Sequence, residues 1–401
     1  MSEWSVKRLK DYWEFNPKVK VNNEDEYSFI EMPDLIPGNK EVLPSRKRKA
    51  KGLTKFQNGD TLFAKITPCL ENGKICQAQG LENNIGVGST EFFVFRGKDG
   101  VSDNDFIHYL LKWYPIRKYA EKCMSGSAGH QRVPSDAFDG IDLPLPDFKE
   151  SIEIAKILSN LDKKITLLRQ QNQDLEELAQ TLFKRWFVEF EFPNENGKPY
   201  KSSGGKMETS ELGEIPKEWR LNRLDSLCEV INGRAYKNSE FKTEGTPIVR
   251  IQNVNGGNNY VYSDLELHPD KYINDDDLIF AWSATFGAFI WRGVKSIYHY
   301  HIWKLKCFNP ESKLFLYLYL KRITESVTNQ GTGSIFSHIT KGLMESQELL
   351  IPSKNVLLSF NNMVSSLNKK ISNNTKEILS LTQLRDTLLP KLMSGELRIN
   401  N

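Results

Sequence analysis

Ser125-Gly126-Ser127-Ala128-Gly129 is followed closely by Gln131 and Arg132, a combination with a definite chemical use. Small residues let backbone amides approach a phosphate, while glutamine and arginine can hydrogen-bond the edges of nucleic-acid bases. The second half of the chain has a similar stretch, Gln330-Gly331-Thr332-Gly333-Ser334 and then His338. Pro247-Ile248-Val249-Arg250-Ile251-Gln252-Asn253-Val254-Asn255 adds Arg250, Gln252 and Asn253, whose groups suit guanine and adenine. Lys65 and Thr67 follow a strand-like run and join the set. Turn formation and internal hydrogen bonding account for the same residue types, so both readings stand for every residue named. The basic run Arg46-Lys47-Arg48-Lys49-Ala50-Lys51, with Lys55 beyond it, is open in the same way, as a solvated loop or as a phosphate contact.

Bond-making chemistry finds no such footing. The Gly-Lys pairs at 73–74, 97–98, 197–198 and 205–206 are never followed by Ser or Thr, so no phosphate-binding GxxxxGK[ST] loop exists, and GxGxxG is absent. His299-Tyr300-His301 lacks the companion ligands of a zinc motif and reads better as aromatic packing or surface strand. Pro269-Asp270-Lys271 is too sparse for a nuclease centre. The five cysteines, Cys69, Cys76, Cys123, Cys228 and Cys307, are scattered without CxxC spacing, which suits a reducing cytoplasm.

The elements that must position the polar runs come in two copies. Lys156–Ile165 and Asn362–Ile371 share five of ten residues at an offset of 206. Leu143-Pro144-Leu145-Pro146 precedes the first of these, as Leu349-Leu350-Ile351-Pro352 precedes the second. Asp60–Ala64 matches Asp277–Ala281, and Trp4–Leu9 matches Trp219–Leu224. Aromatic runs at Glu91–Phe95 and His301–Leu305 read as strands, while Asp105–Tyr119, kinked at Pro115, and Lys313–Thr328 read as helices. The expected order is a mixed α+β domain over 1–149, a helix over 150–190, a linker over 191–211, a second domain over 212–353 and a second helix over 354–395.

Both helices carry a heptad stripe. Ile154, Leu158, Leu161, Ile165, Leu168, Asn172, Leu175, Ala179, Leu182 and Trp186 alternate at four and three spacing. Phe360, Val364, Leu367, Ile371, Asn374, Ile378, Leu381, Arg385, Leu388 and Leu392 do the same, with Arg385 a charged intruder. Each stripe could pack on its own domain, but matching length and phase favour mutual pairing. Paired antiparallel about their centre, Ile154 meets Leu392, Leu158 meets Leu388 and Asn172 meets Asn374. Leu161 then meets Arg385, which is awkward unless the arginine reaches solvent along its apolar stem. A helix over 151–187 is roughly 55 Å long at ~1.5 Å per residue, beside a duplex turn of roughly 34 Å. Asn172 and Asn374 would thus fix direction and register, since paired amides satisfy one another where an aliphatic neighbour cannot; amides at the seam edge facing solvent are the alternative.

Composition agrees with a soluble protein of several domains. Hydrophobic residues make 39% and charged residues 26%, no apolar run reaches a membrane span, and no secretory signal opens the chain. The net charge of +3 excludes a histone-like binder but not a reader with local basic patches.

Three further runs are specific. Leu182-Phe183-Lys184-Arg185-Trp186-Phe187-Val188-Glu189-Phe190, Glu211-Leu212-Gly213-Glu214-Ile215-Pro216-Lys217-Glu218-Trp219 and Leu388-Leu389-Pro390-Lys391-Leu392-Met393-Ser394-Gly395-Glu396-Leu397 resemble, in that order, the DNA-specificity subunits of type I restriction–modification systems. With the duplicated plan the resemblance covers nearly the whole chain. It implies two target-recognition domains separated by a pair of antiparallel coiled-coil helices in a pseudo-twofold repeat. It also implies a non-catalytic reader of double-stranded DNA with a bipartite, asymmetric target. Two methyltransferase subunits would dock on the helices and motor–nuclease restriction subunits would join them. S-adenosylmethionine, ATP and Mg would serve those partners, none of them this chain, and the complex would be cytoplasmic with no membrane role. An autonomous DNA-modifying enzyme with unrecognised motifs is the alternative. One departure is visible: the first half begins near Trp4 without the Leu-Gly-x-Ile-Pro run of Leu212–Pro216, which leaves open how it meets the C-terminal helix.

Overall fold

The computed structural model describes residues 4–127, 129–211, 213–257, 259–329 and 339–399. They divide into two compact units, Met1–Leu167 with Ile378–Asn401, and Leu168–Glu377. Two helices of 40 residues, Phe148–Phe187 and Lys354–Met393, contribute one segment to each unit.

In the first unit a five-stranded sheet runs in the order Trp13–Phe15, Phe92–Gly97, Thr61–Ala64, Ile75–Ala78, Glu41–Val42. The central strands are buried along their whole length, so their runs do not alternate apolar with exposed polar residues, and Thr61 and Gln77 are buried within them. A second sheet holds Arg46–Lys49, Glu26–Ile30, Gly86–Gly88 and Thr54–Phe56. The helix read over Asp105–Tyr119 is instead two, Asn104–Lys112 and Tyr114–Lys122. Asp103 caps the first through its side chain, Trp113 breaks the pair with an extended backbone, and Pro115 sits in the first turn of the second, where its missing N–H costs nothing.

The second unit repeats the sheet as Cys228–Asn232, Ile302–Cys307, Leu278–Ala281, Gly287–Ile290, beside another four-stranded sheet and the helix Ser312–Asn329. The two copies agree residue for residue in pairing. Trp13 opposes Gly97 as Cys228 opposes Cys307, and Phe63 opposes Phe93 as Phe280 opposes Trp303. Each unit also stitches its own ends together with a short antiparallel pair that uses the proline motif. Ser5–Arg8 pairs with Asp142–Leu145, and Arg220–Arg223 with Glu348–Ile351.

Within each unit the two long-helix segments run antiparallel. In the second, Phe183, Trp186 and Phe187 close around Phe360 at ring separations of 6.1, 5.5 and 4.6 Å, next to Val364. One polar layer interrupts this seam: Asn374 Nδ2 donates to Asn172 Oδ1 at 2.9 Å, and Asn172 Nδ2 donates to Thr375 Oγ1 at 3.3 Å. Glu176 accepts from Tyr317 Oη at 2.7 Å and from Lys321 at 2.9 Å, tying the segment to its globular part. In the first unit Ile154 and Leu158 share a core with Leu388, Leu392 and Met393.

Arg385 does not reach solvent. It is 6% exposed, and Nη1 donates to Asp162 Oδ1 at 2.6 Å and to the Gly38 carbonyl at 3.0 Å. Asp162 also accepts from Tyr109 Oη at 2.6 Å. The partner is the residue next to Leu161, turned toward the globular part, so burial is compensated by charge and hydrogen bonds rather than avoided. Beside it buried Lys40 bridges Asp105 at 2.8 Å and Ser159 at 2.9 Å. Burial opposes the charge on Asp105. The Lys40 charge and hydrogen bonds from Lys40, Ser159 and Gln77 outweigh that and hold its carboxyl below the usual carboxylate range.

The N-terminal end meets the C-terminal segment directly. Trp4 Nε1 donates to Glu150 Oε2 at 3.0 Å, Arg398 grips the same carboxylate at 2.7 and 2.8 Å, and its guanidinium lies 5.2 Å from the Trp4 ring centre. Gly395, at φ +74°, lies against the Trp4 ring.

Replacing Asp162 by Leu removes the buried counter-charge of Arg385 and leaves it only the more exposed Asp386, so the first unit should lose about 3 kcal/mol. Asp162→Leu with Arg385→Met should recover most of that loss. Urea unfolding measures both; equal losses would show that the pair is not coupled.

Candidate nucleic-acid interface

Lys65, Thr67 and the Ser125–Arg132 run, far apart in sequence, converge in the first unit. Ser125 and Arg132 exchange backbone hydrogen bonds at 3.0 and 2.9 Å, which closes the run into a hairpin. Its base is laid on the segment after the Thr61–Ala64 strand: Thr67 N donates to the Gln131 carbonyl at 3.0 Å and Val133 N to the Lys65 carbonyl at 2.8 Å. Gly126 takes φ +130°, and a Cβ there would lie 2.9 Å from the His130 carbonyl, so the hairpin requires a glycine at that point. Ser125 and Ser127 are exposed on it and Gln131 is half-buried.

Two of these side chains have internal partners. The Thr67 hydroxyl accepts from Gln131 N at 3.1 Å, and exposed Arg132 forks onto Glu91 through contacts of 2.8–3.1 Å. Hydrogen bonds from Arg132 hold the Glu91 carboxyl below its ordinary range, and Glu91 in turn raises the arginine. Lys65 is placed differently. Its ammonium lies 5.1 Å from the Phe93 ring centre, and it lines an open cleft of about 800 Å³ with Lys18, Lys20 and Lys55. Among the described residues no carboxylate lines that cleft. Sequence reasoning passes over Lys18 and Lys20, although Lys18-Val19-Lys20-Val21 alternates cation and aliphatic in the strand manner.

The basic run is not a loop. Arg46–Lys49 is an exposed edge strand whose Arg46, Lys47 and Lys49 pair with Glu31, Glu82 and Glu24, while Arg46 and Arg48 flank the Phe29 ring, each at 5.2 Å. Charged side chains of this kind protect a free sheet edge.

In the second unit Asn253 is turned inward, 4% exposed. Its Oδ1 accepts from Arg250 N at 3.0 Å and its Nδ2 donates to the Gly257 and Asn259 carbonyls at 2.9 and 3.2 Å, so it shapes the turn. Arg250 is half-buried and Gln252 exposed, and both donate to the Asn259 carbonyl, at 3.3 and 2.8 Å. Thr332, Ser334 and His338 lie outside the described residues.

The repeat identifies the second unit's counterpart of Lys65. Lys65 N donates to the Glu91 carbonyl at 3.0 Å, and Trp282 N donates to the His301 carbonyl at 3.1 Å, each one residue beyond equivalent strands. Where the first unit presents a lysine and an arginine–glutamate pair, the second presents rings. Trp282 stacks on Trp303 at 5.8 Å and lies 5.2 Å from His301, with His299 and Tyr300 alongside and Tyr300 40% exposed. Burial lowers the His299 and His301 pKa values; His301 and Arg250 lower His299 further. Among the described residues no group of three or more His, Cys, Asp or Glu could hold a metal ion. A Cβ on Gly233 would lie 2.2 Å from the His299 carbonyl, so only glycine lets the chain pass there to place Arg234, which pairs with Glu240 at 2.6 Å. Hydrogen bonds from Arg234 and from Lys237 N pull the Glu240 carboxyl down to about 2. Nothing in the local sequence marks Trp282; aligning the two halves strand by strand does.

Comparison with known proteins gives the same duplication. A family model described as the type I restriction modification DNA specificity domain matches residues 1–177 and again 216–382. The type I restriction enzyme MjaIX specificity subunit of Methanocaldococcus jannaschii is 26% identical over 430 residues, covering 99% of this chain and 94% of that protein. The EcoAI specificity subunit of Escherichia coli is 28% identical over 328 residues, covering 63% of this chain and 56% of that protein, little more than half its length. The crystal structure of the type I restriction–modification system S subunit from M. genitalium aligns over 97% of this chain and 96% of that one. The TM-score is 0.55 at 16% identity, a likeness of fold. Among the described residues no helix is long and apolar enough to cross a membrane. The chain belongs to the type I restriction–modification DNA specificity family and carries its domain twice.

Proposed function

We propose that this chain is the sequence-reading, non-catalytic subunit of a type I restriction–modification complex, with each unit reading one half of a bipartite, asymmetric duplex target. The observation that carries this reading is the pair of equivalent positions with unlike side chains, Lys65 beside Glu91 and Trp282 beside His301, held by the same backbone bond. A shared frame with different chemistry at one place suits two readers of different sequences. The autonomous-enzyme alternative has no support, since the duplicated domain accounts for residues 1–177 and 216–382.

Ser125, Ser127 and Gln131 in the first unit, and Arg250 and Gln252 in the second, stand beside these positions as candidate contacts, and Lys18, Lys20, Lys55 and Lys65 as a phosphate track. Thr332, Ser334 and His338 remain candidates from sequence. Two methyltransferase subunits and the motor–nuclease subunits supply catalysis in the cytoplasm, using S-adenosylmethionine, ATP and Mg. Asn172 and Asn374 set the helix register, and through it the spacing of half-sites tolerated.

Supplying the chain to a methyltransferase partner and mapping methylated sites tests the central reading. Exchanging Trp4–Pro146 for another member's first domain should change one half of the target and leave the other intact, and the chain alone should transfer no methyl groups. A simultaneous change in both halves, or turnover by the chain alone, overturns it. Changing Lys18, Lys20, Lys55 and Lys65 together to Gln should weaken binding to every duplex. It should also flatten the slope of log affinity against log salt by roughly 0.9 for each phosphate that is no longer neutralised; an unchanged slope removes the cleft from the interface. Changing both Asn172 and Asn374 to Leu should raise thermal stability while relaxing discrimination between spacer lengths. Unaltered discrimination would reduce the layer to packing.

A further inference from the structure

We propose that Cys228 and Cys307 form a modification site, a thiol pair that low-molecular-weight disulfides convert to a cross-strand disulfide. The proposal is independent of the DNA-reading role. The two residues face each other in the antiparallel pair formed by Cys228–Asn232 and Ile302–Cys307. The phase of the ladder decides how close they come. Phe308 N donates to the Leu227 carbonyl at 2.9 Å, so the adjacent pair is hydrogen-bonded and the cysteines occupy a non-hydrogen-bonded position. Opposed α-carbons at such positions are roughly 4.5 Å apart with side chains on one face, at the short end of the roughly 4.4–6.8 Å a disulfide spans. Cys76, in contrast, faces Leu62 across its own ladder.

The fold does not need this pair. The equivalent position of the first unit holds Trp13 opposite Gly97, so two cysteines here are a property of the second unit alone. Their surroundings order the chemistry. Cys228 is fully buried, whereas Cys307 is half-buried and touches Ser312. Burial raises both thiols, and the nearby Cys307 raises Cys228 further; Ser312 and Lys313 partly offset the effect at Cys307, which reaches about 11. Cys307 therefore reacts first. Its thiolate attacks the small disulfide RSSR, forming a mixed disulfide and releasing one thiolate, which takes up a proton. The Cys228 thiolate then attacks the Cys307 sulfur and expels the second thiolate, which is likewise protonated. Two protein thiols are oxidised, one RSSR is reduced to two RSH, and atoms and electrons balance. The raised thiols make the reaction slow and faster as pH rises.

The test uses the reduced full-length chain with oxidised glutathione at mildly alkaline pH, followed by intact mass and peptide mapping. The expected product has lost two hydrogens, contains one linked peptide joining Cys228 and Cys307, and keeps Cys69, Cys76 and Cys123 alkylatable. Dithiothreitol should reverse it, and the melting transition should rise on oxidation. Cys228→Ser should stop the reaction at a stable glutathione adduct on Cys307. In the wild-type chain, a persistent Cys307 adduct with Cys228 still free overturns the proposal. So does failure of either thiol to react, or linkage of other cysteines in its place. If the buried serine prevents folding, the wild-type peptide map decides the matter.

Discussion

The polar layers inside the long-helix pairing carry more of this molecule than their number implies. An apolar heptad seam is nearly indifferent to sliding by one repeat, because leucine faces leucine again. A buried guanidinium or amide is not, since each must find its own partner or remain unsatisfied in a poor solvent. Each unit holds one such layer. Arg385 meets Asp162, Tyr109 completes the carboxylate, and the Gly38 carbonyl takes a guanidinium proton. In the other unit Asn374 donates to Asn172 and Asn172 to Thr375, while the buried Asn374 Oδ1 is left without a hydrogen bond. The first layer also fixes the segment to its globular part, because Tyr109 and Gly38 belong to that part. One group of hydrogen bonds thus joins the two helix segments of the unit to each other and to its globular part.

Once that frame is set, the halves are free to differ at the strand ends. Ladder registers coincide through the principal sheet, and backbone bonds such as those from Lys65 and Trp282 recur at matching places. A main-chain hydrogen bond does not restrict which side chain departs from it. Lysine over Phe93 and tryptophan over Trp303 are therefore equally compatible with the frame. This explains why the halves resemble each other weakly outside the helices. The backbone pairing is common to both, while the side chains that leave it are not.

The same distinction decides what can be read from sequence. The repeat, the heptads and the strands over 61–64 and 278–281 depend on periodicity and are legible. Asn172 opposite Asn374 follows from counting along two stripes. Arg385 misleads because its partner is off the stripe and two of the supporting groups come from the globular part, which helical periodicity does not report. Asn253 resembles a base reader and is the internal clasp of a turn; composition cannot separate an amide facing out from one facing in. The Arg46–Lys49 run reads as a loop because charge masks strand character at a solvent edge, where alternation has no buried face to report. Trp282 becomes visible only through ladder register.

The closure at Trp4 shows how one frame tolerates different local solutions. In the second unit the equivalent tryptophan, Trp219, is buried and stacked on Phe192 at 5.3 Å, with Phe187 and Phe190 around it. Leu212–Pro216 belongs to the stretch leading into it. The first unit has polar chemistry in the same place. Glu150 accepts from the Trp4 indole and from Arg398, and the three groups form a compact charge-assisted cluster. The Glu150 carboxyl is held below the ordinary carboxylate range: burial opposes ionisation, but hydrogen bonds from Arg398 and Trp4 outweigh it. Both arrangements hold a tryptophan at the start of a domain, Trp4 by a carboxylate in the first turn of the Phe148–Phe187 helix and Trp219 by aromatic burial at that helix's last residue. What the frame demands is an anchored ring at that point, and the means of anchoring is left to the residues at hand.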